Sequence, residues 1–170
     1  MKRVLFLWLL LYLFNLNLSQ AASSFPTQIS APGEKIIVVS PRIHAWGAYT
    51  ADGNLIRSGL ASAGANWCND IKRPCRTKTG SYRIYIMGDD NCISTRFPLP
   101  YGGAPMPYCM YFNGNQALHG SPPGSVVRDN ISHGCVRMHI NDAKWLRYHF
   151  VEGPSIENGY RGTLVLILPY

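Results

Sequence analysis

The chain has 170 residues, 46% of them hydrophobic and 15% charged, with 16 glycines and 12 prolines. That length and apolar content suit one folded domain with its own core, and exclude a disordered charged tail or a large multidomain assembly. Sixteen basic residues against nine acidic give a net charge of +7, which suits anionic partners without identifying one.

Residues Met1 to about Ala21 read as a secretory signal. Lys2 and Arg3 form its basic start, Val4 to Phe14 its apolar run, and Ser19-Gln20-Ala21 a small-residue cleavage region. A membrane-spanning helix needs about 20 apolar residues, and this run breaks at Asn15 and Asn17, so export without a stable membrane anchor is expected. Residues 22–33 form a polar leader, and residues 34–170 the domain.

Lys35 to Ser40 is a β-branched run too short for a helix and reads as a buried strand. Ile43 to Thr50 and Asn54 to Ser62 flank Asp52-Gly53, which predicts a hairpin. The Cys68 to Cys75 segment is a charged loop. Tyr82 to Met87 alternates as a strand, Gly88 to Gly103 is a proline-broken loop of the kind that shapes binding sites, and Pro107 to Phe112 is another strand. After the turn Asn113-Gly114-Asn115, Gln116 to Leu118 leads to His119. Asn141 is a suitable N-cap, with Asp142 in the first turn, for a helix running to Phe150. Thr163 to Leu168 closes the chain as a strand. About seven strands and one helix imply a mostly-β sandwich or open barrel.

Cysteines stand at positions 68, 75, 92, 109 and 135. An exported chain oxidises what can pair, and an odd count leaves one thiol over. The economical pairing joins Cys68 to Cys75 and Cys92 to Cys109, although four cysteines allow three connectivities. Cys135 is then the reduced one. It sits in Ser132-His133-Gly134-Cys135-Val136-Arg137-Met138, where glycine permits a tight turn that presents a sulfur and main-chain amides to one small volume.

Those residue types suit acyl transfer. A thiol attacks a carbonyl only as thiolate, and its ordinary pKa of about 8.5 calls for a base. His119 is the candidate base and His133 its rival. Amides at Gly134 and Cys135 are candidate donors to an oxyanion, a role worth about 3 kcal/mol per donor. Two other readings compete: a buried structural turn, or a metal site drawing on His133, Cys135 and His139. Lys72, Arg73, Arg76, Lys78 and Arg83 cluster in sequence without an aromatic ladder or nucleic-acid motif, so ordinary solvated charge is the default and nucleic acid is not expected.

His119-Gly120, a short crossover and Ser132-His133-Gly134-Cys135-Val136-Arg137 together resemble the signature of the L,D-transpeptidase catalytic domain, the YkuD-like family. The similarity covers almost the whole exported chain: Gly33 to Gly64 resembles the family's opening strands, Thr77-Lys78-Thr79-Gly80 its Thr-Pro-Thr-Gly turn, Asn141-Asp142-Ala143 its post-cysteine helix, and Gly162 to Leu168 its closing strand. Lys78 stands where the family usually has proline, Ser121-Pro122-Pro123-Gly124 departs from the commoner Thr-Asn stretch, and four of the cysteines lie outside the usual pattern.

The resemblance implies the family's β-sandwich with one main helix after the cysteine. It also implies a cofactor-free, metal-free transpeptidase acting on peptidoglycan stem peptides, as donor and acceptor, in the periplasm or cell envelope. By position Cys135 is the nucleophile, His119 its base, Gly120 the residue that orients the imidazole through its carbonyl, and Gly134, Cys135 and His133 the oxyanion surroundings. Arg137 is expected to hold a substrate carboxylate, Ser132 to shape the turn and pocket, and Tyr111 to border the donor site. A monomer is expected. A thiol hydrolase or carboxypeptidase on the same peptides, and an inactive envelope-binding module, are the alternatives.

Overall fold

A computed structural model describes residues 25–170; the expected signal over Met1 to Ala21 lies outside the described residues. The first strand, β1 (Ile36–Ser40), is buried along its whole length. Both of its faces are covered, which is why its sequence runs apolar without alternating. Ile37 and Val39 enter the central core, while Ile36 and Val38 join Ala45, Tyr49 and Phe25 on the opposite face.

β2 (Ala45–Tyr49) and β3 (Leu55–Ser62) form the expected hairpin. Gly53 closes it at φ +84°, and a Cβ there would lie 2.2 Å from the Ile29 carbonyl oxygen. The segment from Phe25 runs alongside: Leu55 N–H donates to Thr27 O at 2.8 Å and Ile29 N–H to Gly53 O at 2.9 Å.

Six further strands complete the sheet: β4 (Gly80–Arg83), β5 (Ile86–Met87), β6 (Met110–Asn113), β7 (Gln116–Ser121), β8 (Val136–His139) and β9 (Leu164–Ile167). Their order is β4-β9-β1-β2-β3-β8-β7-β6-β5. The β1–β9 and β7–β8 pairs are parallel and the rest antiparallel. Only Ala61↔Met138 and Ser62↔Arg137 join β3 to β8. The sheet folds over at that narrow junction, so Ile37, Trp46 and Val165 of one half share a core with Met110, Leu118 and Val136 of the other. The result is a mostly-β sandwich.

Three sequence expectations change. Tyr82 to Met87 is not one strand: β4 pairs with β9, whereas β5 pairs with β6. Between them Ile84 N–H donates to Thr163 O and Tyr85 N–H to Tyr111 O, so the chain crosses from one half to the other while its alternation continues. Val136 to Met138 is part of a strand as well as of the cysteine turn, which brings the strands to nine. Its two core residues, Val136 and Met138, are too few to announce a strand.

The third change concerns the helix α1 (Ile140–Trp145), which continues as a π-helical turn over Leu146–Phe150. It starts directly from β8 with His139 at the N-cap position and no side-chain cap, so Asn141 lies inside the first turn. Asp142 takes both Nε and Nη2 of Arg57, at 3.1 and 2.6 Å, and Ala143, Leu146 and Phe150 anchor the helix in the core. Among the described residues no helix is long and apolar enough to cross a membrane.

Candidate active site

Strand alternation sorts the middle of the sheet into two faces. Met110, Phe112, Leu118, Val136 and Met138 point to the core, so Tyr111, His119, Cys135 and Arg137 share the other face, where they line a cleft of about 670 Å³. His119 pairs with Arg137 in the β7–β8 register, and Cys135 immediately precedes Val136, the partner of Leu118. Cys135 therefore stands two residues before Arg137, the partner of His119, and both Cys135 and His119 line the cleft.

The parallel β7–β8 pair needs a crossover, and its return is stitched to the end of β3. Val127 N–H donates to Ser62 Oγ at 2.9 Å, Ala63 N–H to Asn130 Oδ1 at 3.1 Å, Ser132 N–H to Ala63 O at 3.0 Å, and Ala65 N–H to Ser132 O at 2.8 Å. Gly134 then takes φ +118°, and a Cβ there would stand 2.9 Å from Gln116 Nε2. The positive φ disfavours an L side chain, and the end of the Gln116 side chain would also have to move aside.

Ser132 Oγ shapes the turn from within, accepting from Gly134 N–H at 3.0 Å and donating to Cys135 O. The Gly134 amide, expected to face an oxyanion, is thus engaged inside the turn.

Residues that the sequence reading left out hold the turn from behind. Thr77 Oγ1 donates to Gly134 O at 2.9 Å and accepts from Gly64 N–H at 3.0 Å. Tyr170 Oη accepts from Thr77 N–H and donates to Gly64 O, both at 2.8 Å. Gln116 accepts from Lys78 N–H at 3.1 Å and donates to Arg76 O at 3.2 Å. The resemblance of Thr77-Lys78-Thr79-Gly80 to a family turn was the one available signal for Thr77; Tyr170, far away in sequence, offered none.

His119 is buried, 5% exposed, with Nδ1 2.9 Å from Gly120 O and 3.4 Å from Ser121 Oγ. The Gly120 contact favours a proton on Nδ1, which leaves Nε2 free to accept one. Burial pushes the ring's pKa down to about 4; the Gly120 carbonyl opposes this and the Arg137 charge adds to it. His119 is therefore neutral near pH 7.

Cys135 is the free cysteine, half-buried, and its thiol donates to Asn115 O at 3.5 Å. Burial pushes the thiol pKa up, against the Ala117 amide and Arg137, which both favour thiolate. The resting pair is thus a neutral thiol and a neutral imidazole. Arg137 is half-buried with no ion-pair partner among the described residues, and burial works against its charge. The hydroxyl of Tyr111 is raised in pKa by burial first, then by Cys135 and Tyr85.

His133 is committed elsewhere. Its Nε2 lies 2.8 and 2.9 Å from the two Asp70 oxygens, and its ring packs on Phe97 with centroids 4.3 Å apart. It thereby ties the turn to both flanking loops. Each loop is closed by a disulfide: Cys68–Cys75 on one side and Cys92–Cys109 on the other, the economical pairing. The metal reading finds no support among the described residues. The ligand atoms that do gather, from Cys68, Asp70 and His133, include a disulfide sulfur, and no such group contains Cys135 or His139.

The mostly-β sandwich thus presents a free thiol and a buried histidine to one cleft. The model of the YkuD family, the L,D-transpeptidase catalytic domain, matches residues 34–167, and the chain belongs to that family.

Solved structures agree on the fold. The L,D-transpeptidase (residues 123–326) of Xylanimonas cellulosilytica DSM 15894 superposes with a TM-score of 0.63 at 26% identity, over 84% of this chain and 64% of that one. An L,D-transpeptidase (Yku) of Stackebrandtia nassauensis gives a TM-score of 0.59 at 21% identity, over 86% and 61%. L,D-transpeptidase 3 of Mycobacterium tuberculosis, in complex with a faropenem-derived adduct, gives 0.58 at 20%, over 79% and 60%. The chain thus spans less than two thirds of the length of each. A search of curated proteins finds no match.

Proposed function

We propose that the protein is an exported peptidoglycan L,D-transpeptidase that works through Cys135 and His119. The observation that carries this reading is that the free thiol and a neutral, Gly120-oriented imidazole line one and the same cleft. When a tetrapeptide stem enters, His119 Nε2 takes the thiol proton as Sγ bonds to the carbonyl carbon of the stem's third residue. The Cys135 amide, with the neighbouring His133 amide, stabilises the oxyanion, since the Gly134 amide is held by Ser132.

Collapse of the tetrahedral intermediate breaks the bond to the terminal D-alanine, whose departing nitrogen receives the proton from His119. An acceptor amine then attacks the thioester, gives a proton to His119, and displaces Sγ, which is reprotonated. Because thiol and imidazole both rest neutral, the proton moves during attack rather than beforehand. Arg137, without an ion-pair partner among the described residues, holds a donor carboxylate from the cleft face, and Tyr111 borders the same site.

The test is incubation with purified disaccharide-tetrapeptides followed by mass spectrometry of the products. Wild type is expected to yield cross-linked dimers and released D-alanine, and Cys135→Ala neither. Trimmed monomers without dimers would reassign the enzyme as a hydrolase, and dimers from the alanine variant would refute the nucleophile.

A further inference from the structure

The basic cluster noticed in the sequence is divided by the fold. Arg83 pairs with Glu34 at 2.5 and 2.7 Å, away from the cleft. Arg73, Arg76 and Lys78 instead line the cleft from the Cys68–Cys75 loop and the irregular segment that follows it, and Arg96 lines it from the Cys92–Cys109 loop. With Arg137 on the floor, five cations among the described residues border the cleft and no carboxylate among them does.

None of the five has an ion-pair partner among the described residues, whereas Arg57, Arg83 and Arg147 outside the cleft all do. Asp70, the acidic residue of the same loop, is taken up by His133. Arg76 is also held in place, with Nε 2.7 Å from Asn66 Oδ1 and its guanidinium 4.9 Å from the Tyr170 ring centre.

We infer that this cleft is an anion-selecting channel whose acyl substrates carry at least two free carboxylates, one for Arg137 beside the sulfur and others for Arg73, Lys78 and Arg96 on the rim. The inference deepens the proposed transpeptidase reading and rests on it for the identity of the acyl group. Each rim charge is exposed and individually weak in water, but same-sign charges lining a cleft focus their fields inward. A peptide with its carboxylates amidated would lose that attraction while fitting the same space. The occupant is a small peptide rather than a long polyanion because the unpaired cations converge on one thiol-bearing cleft instead of following a surface track.

The experiment compares two alkylating agents of similar size, iodoacetate, which is anionic, and iodoacetamide, which is neutral. Their rate ratio at Cys135 reads the field at the sulfur whether or not the protein transfers acyl groups. In the variant R73Q/K78Q/R96Q the iodoacetate-to-iodoacetamide ratio is expected to fall about tenfold, and about 0.5 M salt should lower it clearly less in the variant, which keeps Arg76 and Arg137, than in wild type. An unchanged ratio, or both rates falling together, would overturn the inference.

In parallel, kcat/KM is measured for tetrapeptide stems with free and with amidated carboxylates. The variant is expected to lose about tenfold in selectivity for the free form, and retained selectivity would overturn the assignment of carboxylates to the rim. If wild type turns over neither stem while the alkylation ratio still shifts, the transpeptidase reading fails and the anion-selecting cleft stands.

Discussion

Acidification offers the sharpest test of the His119 environment. In the unfolded chain this ring titrates near 6.5, and in the fold burial pushes it down to about 4. Well above 6.5 both states hold a neutral ring and its contribution to stability is fully present. As pH falls through 6.5 the unfolded chain takes up a proton that the folded protein refuses until about 4, so stability is lost across that window. At 1.36 kcal/mol per pKa unit the loss reaches about 3 kcal/mol in full, and about 2.5 kcal/mol by pH 4.5.

Urea unfolding of the disulfide-intact protein at pH 7 and pH 4.5, by tryptophan fluorescence, measures it. His119→Gln cannot titrate and supplies the comparison. Carboxylates held low in the fold, such as Glu34 beside Arg83, weaken on acidification in both proteins and cancel. Wild type is expected to lose about 2.5 kcal/mol more than the variant between the two pH values. Parallel losses would mean that His119 is solvated, and the argument for a neutral resting base would go with them.

Other outcomes follow from the same geometry. Because burial raises the Cys135 thiol, its alkylation rate should climb from neutral into alkaline pH with no plateau in the acidic range; fast reaction at pH 5 would reveal a preformed ion pair. His119→Ala should slow alkylation near pH 7 far more than His133→Ala, since His133 is held by Asp70 and Phe97; equal losses would reassign the base. Tyr170→Phe removes the donor to Gly64 O and the acceptor for Thr77 N–H and should cost about 1–3 kcal/mol in chemical denaturation; no change would detach Tyr170 from the turn. Gly134→Ala, at φ +118° and against Gln116, should cost at least about 1 kcal/mol and lower the alkylation rate; an unaltered rate would mean the turn tolerates the side chain.

The residues by themselves determined much of this protein. The β-branched run of β1, the Asp52-Gly53 hairpin and the closing strand are local patterns, each set by side-chain period or turn chemistry, and the fold contains all three. The pattern from His119 through Arg137 was legible because its parts lie within one short crossover, and the odd cysteine count singled out a thiol.

What the tertiary structure decided is everything that depends on which strand lies beside which. Alternation runs straight through Ile84, yet the hydrogen-bond partners change there from Thr163 to Tyr111, and only the folded sheet supplies them. The α1 N-terminus follows β8 without a loop, so a good capping residue at Asn141 goes unused. The coupling of Tyr170 and Thr77 to Gly134, the engagement of the Gly134 amide by Ser132, and the division of one basic run into a Glu34 partner and a cleft wall all join residues distant in sequence. Period and propensity describe a side chain's own strand or turn; burial, ion pairing and a shifted pKa belong to its neighbours, which the fold alone brings together.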